Sequence, residues 1–169
     1  MFDNMEAPSL YVGTYAKYNA GSIAGEWVNL TDFSDYEDFI SYCRDIHSDE
    51  QDAELMFQDY ENIPSAMYDE CGITEDEFNS IIEMYNHPDR EAAFAYYDYF
   101  GEWDLRKFED RFCGEWDTEL DYAYHIVDEC YNLDKELGSL AYYFDYDKFS
   151  RDLFAYDYLF LEGYVFTNY

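Results

Sequence analysis

A chain with 40 Asp and Glu against 9 Lys and Arg should resist collapse, yet this one sets 21 Tyr and 14 Phe among its carboxylates. Highly charged sequences poor in large apolar groups stay disordered, because too little burial offsets chain entropy. Here 22% of residues are aromatic, and each large ring removes on the order of 150–250 Å² from water when buried. Leu, Ile, Val and Phe make up only roughly 22%, just above the level that signals disorder, so tyrosine shares the work of the core. The fold must place rings inside and carboxylates outside. A net charge of -31 over 169 residues then predicts an anionic surface whose partner is basic. Nucleic acid and anionic membrane both repel such a surface.

Other composition features narrow the class. No apolar run reaches the ~18 residues of a membrane span, and the N-terminal MFDNMEAPS is acidic where a signal peptide begins positive, so a cytoplasmic location is expected. Cys43, Cys71, Cys113 and Cys130 form no CxxC, and they read as free thiols. His47, His87 and His125 lie on separate segments and read as surface or capping residues. No metal and no cofactor is expected.

Local patterns predict an α+β chain with strands at both ends and helices between. Residues 9–15 (SLYVGTY) and 22–30 (SIAGEWVNL) read as a hairpin around the turn-rich KYNAG, with Gly13, Gly21 and Gly25 as turn and strand glycines. Residues 35–46 place Tyr36, Phe39, Ile40 and Cys43 on one helical face, with Asp35, Glu37, Asp38 and Asp45 on the other. Residues 55–60 (LMFQDY) read as a strand ended by Pro64. Thr74 and Glu77 form a capping box for a helix to about residue 86, with Phe78, Ile81, Ile82 and Tyr85 inward. Pro88 suits the first position of a helix to about residue 100. Residues 104–112 read as a helix and 113–116 as a short strand. Thr118 then caps a helix to about residue 131, with Tyr122, Ile126 and Cys130 in one stripe. Residues 137–154 read as two helices or one bent helix. Residues 158–161 and 164–167 flank Glu162-Gly163 as a terminal hairpin.

Catalysis finds little support. With this many acids any cleft holds two, so no pair stands out as a glycosidase acid and base. G-x-S-x-G, P-loop and dinucleotide motifs are absent. Asp145-Tyr146-Asp147 and residues 49–54 are the best calcium candidates, but neither has the central Gly and terminal Glu of the twelve-residue loop. What remains is a distributed charge. Duplex DNA carries one charge per ~1.7 Å, so this net charge matches roughly 50 Å of duplex, or about fifteen base pairs. The acids expected to carry a contact surface are Asp32, Asp35, Glu37, Asp38, Asp45, Asp49, Glu50, Asp52, Glu54, Asp59, Glu61, Asp69, Glu70, Asp76 and Glu83. Residues 1–89 hold 21 acidic side chains and only two basic ones, Lys17 and Arg44.

The segment LGSLAYYFDYDKFSRDLF, residues 137–154, resembles the antirestriction motif of the ArdA family. SLYVGTYAKYNAGSIAGEW (residues 9–27), MFQDYE (56–61) and FEDRFCGEWDTELDYAY (108–124) are similar to that family too, in the expected order. The resemblance implies a DNA-mimic inhibitor that occupies the basic groove of type I restriction-modification enzymes, blocks restriction and modification, and is not itself an enzyme. It implies an elongated, curved homodimer of three small domains per chain, here 1–70, 71–112 and 113–169. Its dimer contact maps loosely to Cys113, Trp116, Tyr122 and Ile126. Within the motif, Leu140, Tyr143, Phe144, Phe149 and Leu153 have helical core spacing. Asp145, Asp147 and Asp152 suit the surface beside Lys148 and Arg151, where internal ion pairing and a structural role are expected. A different class, an acidic chaperone or storage partner of a basic protein, shares the charge but not these motifs; a small acidic hydrolase is the third.

Overall fold

Alternation in the first strand, β1 (Ser9–Thr14), turns Leu10, Val12 and Thr14 fully inward, and that buried row organises the N-terminal sheet. The computed structural model describes residues 5–169, so the first four residues of the acidic N-terminal stretch lie outside it. The chain divides into two compact units, Met1–Trp103 and Asp104–Tyr169.

In the first unit β1 is central between β2 (Glu26–Asn29) and β3 (Leu55–Glu61), all antiparallel. The expected second strand is shorter than residues 22–30, because Leu30 opens a 3-10 turn. The loop of the hairpin winds into a short helix, α1 (Tyr15–Asn19), capped by Thr14. Against β3 the register slips between Tyr11 and Val12, leaving Gln58 as the extra residue of a bulge. Gly25 passes so close to β1 that a Cβ there would lie 2.5 Å from the Val12 carbonyl oxygen. This accounts for glycine by close backbone approach.

Helix α2 (Tyr36–Asp45) starts at Asp35, whose carboxylate accepts the Asp38 N–H at 2.9 Å. It buries Phe39 and Cys43 and leaves Tyr36 and Ile40 half-buried. Helix α3 (Glu75–Asn86) has the full capping box, with Thr74 and Glu77 satisfying each other's backbone N–H groups. Met84 joins Phe78 and Ile81 inside, while Ile82 and Tyr85 stay half-buried. Helix α4 (Arg90–Phe100) starts two residues after Pro88, so that proline precedes the helix and is not its first residue. Its small side chains Ala92, Ala93 and Ala95 admit the close packing that buries Tyr96.

The second unit begins with α5 (Leu105–Arg111), capped by Asp104. Phe108 stacks on Phe112 of β4 (Phe112–Glu115) at 5.3 Å and meets Phe166 at 6.1 Å. Thr118 caps α6 (Glu119–Cys130), whose buried stripe is Tyr122, Ala123 and Val127; Ile126 is half-buried and Cys130 exposed, a shift of one helical position from the expected stripe. A short α7 (Leu133–Leu137) follows. Residues 137–154 do hold two helical segments, the first of them not α-helical: Gly138–Tyr143 is a 3-10 segment, and α8 spans Tyr146–Tyr156. The closing hairpin, β5 (Tyr158–Leu161) and β6 (Tyr164–Thr167), turns at Glu162 and Gly163, both at positive φ as a tight two-residue turn requires. Strand order is β4-β6-β5, which leaves β4 as an edge. Two small antiparallel sheets with helices between make the chain α+β. Among the described residues no helix is long and apolar enough to cross a membrane.

Candidate functional site

Carboxylates cost too much to bury without partners, and the described Asp and Glu follow that rule: all are exposed except Glu50 and Glu77, which are half-buried. Of the expected contact acids, Glu37, Asp38 and Asp45 stand on α2 and Asp76 and Glu83 on α3. Asp59 and Glu61 lie on β3, while Asp52 and Glu54 precede it. Several also serve the fold. Asp35 is an N-cap, Asp69 accepts the Cys71 N–H at 2.8 Å, and Glu83 accepts the Trp103 indole N–H at 2.6 Å. Glu37, Asp38 and Asp76 lie in first helical turns, where negative charge is favourable. The acids expected to form a contact surface and those that cap the fold therefore overlap.

Asp49 and Glu50 differ from the others because a cation sits on them. Lys17 Nζ donates to Asp49 Oδ1 at 2.9 Å and lies 3.7 Å from Glu50 Oε1; Thr14 Oγ1 donates to that same Glu50 oxygen at 2.6 Å. The Lys17 hydrogen bond holds the Asp49 carboxyl below the usual carboxylate range. Lys17 also stands 3.0 Å from His47 Nδ1, which makes that nitrogen the acceptor and leaves Nε2–H to donate to the Val12 carbonyl at 3.1 Å. His47 is 3% exposed, so it is an interior residue and not the surface or capping histidine expected. Residues 30 to 36 positions apart build this cluster, a separation that no local motif reveals. His87 does cap locally, accepting the Asp89 N–H at 3.0 Å, and His125 lies half-buried over Trp116 at 4.7 Å.

In the second unit the motif residues divide differently from their spacing. Leu140 and Tyr143 are 63% and 77% exposed, so neither joins a core, because the 3-10 segment replaces the α-helical face on which that spacing depends. Phe144, Phe149 and Leu153 are half-buried, with Phe144 and Phe149 5.6 Å apart. Asp145 caps α8 by accepting the Lys148 N–H at 2.9 Å, and Asp147 and Asp152 are exposed. Among the described residues no ion pair forms at Lys148 or Arg151, although Asp147 and Arg151 line one shallow cleft with Glu119. The expected internal pairing gives way to solvation, as exposed pairs at this spacing contribute little.

Cys113 and Trp116 sit on and just after the edge strand β4, where the Trp116 indole donates to the Cys113 carbonyl at 2.9 Å. Tyr122 is buried between Trp116 at 5.4 Å and Tyr158 at 5.0 Å. Burial, with hydrogen bonds from Tyr158 and Cys113, raises the Tyr122 phenol above its ordinary range. Burial also pushes the Cys43 thiol up to about 12 and raises the phenols of Tyr36, Tyr68 and Tyr97. Raised values favour the neutral forms in the folded state. The stability they contribute is whole below the unfolded values, about 8.5 for thiol and about 10 for phenol, and is lost as pH rises through the folded ones. Base titration is expected to release the phenolates of Tyr36, Tyr68, Tyr97 and Tyr122 cooperatively, with loss of ellipticity. Release of these phenolates near pH 10 with the fold intact is the opposing result.

Together these features define an acidic α+β protein whose notable chemistry is spread over its exterior. Residues 10–166 match the family described as Antirestriction protein (ArdA), and the chain belongs to that family. Its function is accordingly antirestriction, exerted on restriction-modification enzymes, and the family is one of inhibitors and not a known enzyme family. A comparison with curated proteins finds no match.

Proposed function

We propose that the protein is a DNA mimic that occupies the basic DNA-binding groove of a type I restriction-modification enzyme. The observation that carries this is the near-complete exposure of its carboxylates at a net charge of -31. Lys and Arg of the enzyme that meet phosphates on DNA meet Asp and Glu here, and the counterions they release supply a large share of the affinity. No base edge is needed, since phosphate contacts position a ligand without reading sequence. The protein offers no phosphodiester to cut, so occupancy is inhibition, of modification as well as restriction.

The same proposal takes the protein as a cytoplasmic homodimer of three small domains per chain, divided near residues 70 and 112. The copies would meet at the edge of β4 around Cys113 and Trp116, with Ile126 beside them; Tyr122 is buried and would support that face from within. Competition tests the central claim. Excess protein is expected to displace labelled duplex from a type I modification enzyme, with an affinity that falls steeply as salt rises. Duplex that stays bound, or a flat salt response, would overturn it.

Self-repulsion carries a further expectation. Exposed like charges destabilise the compact state, and screening at ~0.15 M salt acts beyond about 8 Å. Added salt should raise Tm while weakening binding to the enzyme. A melt indifferent to salt would mean that the carboxylates are spaced too far apart to repel.

A further inference from the structure

A cleft of about 500 Å³ opens in the second unit beside α6, α7 and the 3-10 segment, lined by Tyr131, Tyr142 and Tyr146 together with Asp128 and Asp134. Two of its rings are braced by neighbours. Tyr146 is held between Tyr124 at 4.3 Å and Phe144 at 4.8 Å, and Tyr131 stands edge-on to Phe149 at 6.3 Å. Tyr142 is 88% exposed, and among the described residues its ring neighbour is the adjacent Tyr143. Rings have negative faces, and a cation desolvated against them gains on the order of 0.5–2 kcal/mol. Two carboxylates in the same cleft add charge and hydrogen-bond acceptors.

We propose that this cleft is a receptor for an arginine side chain of the protein's macromolecular partner. Among charged groups, guanidinium is planar and weakly hydrated; it stacks on rings while donating in a fork to carboxylate, whereas lysine is a strongly hydrated point charge. A second copy of this chain is a poor occupant. A second copy would set an equally anionic surface against Asp128 and Asp134 of the cleft, a like-charge juxtaposition. A basic protein relieves that repulsion. The inference deepens the proposed function, resting on its claim that the partner is basic, and adds a contact that a duplex backbone does not offer: aromatic walls around one cation.

The probe is blocked arginine, N-acetyl-arginine methylamide, titrated into the full chain and followed by amide NMR. Saturable millimolar shifts confined to residues around Tyr131, Asp134 and Tyr142 are expected. Blocked citrulline, of the same shape without charge, should bind about tenfold more weakly. Blocked lysine should also bind more weakly than arginine. The exposed double substitution Tyr142→Ala with Asp134→Asn should weaken arginine binding about tenfold while leaving Tm unchanged. Equal binding of citrulline or lysine, shifts scattered over all acidic segments, or an unaffected double variant would each overturn the inference. Wild-type protein that binds arginine here but leaves duplex on the modification enzyme would instead sink the mimic proposal and keep the cleft.

Discussion

Amide substitution of Glu37, Asp38, Asp45, Asp52, Glu54 and Asp59 together is expected to weaken competition with duplex by about two to three orders of magnitude. Any one of them alone should cost less than about threefold. The asymmetry follows from the physics of polyelectrolyte binding. Each carboxylate that meets a Lys or Arg releases a condensed counterion, and log affinity changes by a nearly constant increment per contact. Single losses are therefore small and accumulate. All of these side chains are exposed, so the substitutions leave the core intact. Asp35 is left in place because it caps α2, and Asp49 because Lys17 already holds it. The combined variant should also show a shallower dependence of affinity on salt. Its Tm need not fall: Glu37 and Asp38 lose a helix-terminus interaction of roughly 0.3–1 kcal/mol each, but the repulsion among neighbours falls with them. Complete loss from a single substitution would point to a localised site and overturn the distributed reading.

Charge alone explains why the exposure of the acids was so legible in sequence. Any carboxylate without a strong partner goes to water, so naming an acid nearly suffices to place it outside. Local capping chemistry was equally readable. Thr74 and Thr118 each announce a helix start and each accepts the N–H three residues on, as Asp35, Asp104 and Asp145 also do in the structure. Glu162-Gly163 announced the hairpin by the same kind of local demand.

Where long-range packing decides, sequence reasoning reached less far. The five residues of α1 bury no side chain, so they carry no apolar period to detect. Leu140 and Tyr143 had the spacing of a helical face, yet Gly138, at positive φ, ends α7 and the chain continues as a 3-10 segment. His47 is buried because its partners, Val12 of β1 and Lys17 of α1, reach it from 35 and 30 positions away in the chain, beyond the range of a local pattern. The rings of the proposed arginine cleft, from Tyr131 to Tyr146, are close in sequence. Only the turn at Gly138 reveals that they line one hollow.

Phe39→Ala should produce the largest loss of stability, about 3–5 kcal/mol in the first unit, the range for emptying a phenylalanine site in a close-packed core. Phe39 is wholly buried and stands at the centre of a ring cluster, 5.5 Å from Phe78, 5.6 Å from Phe33 and 6.2 Å from both Phe57 and Tyr36. These neighbours come from α3, the segment before α2, β3 and α2 itself, so one truncation loosens several elements together. Small domains hold only about 5–15 kcal/mol in total, and this one spends part of that against its own charge. The variant is expected to melt far below wild type in low salt and to recover part of the difference when salt screens the carboxylates. Denaturant unfolding at fixed salt checks the magnitude. A change below about 1 kcal/mol would show that the cluster collapses around the gap without loss, and the burial that makes so acidic a chain foldable would then have to lie elsewhere.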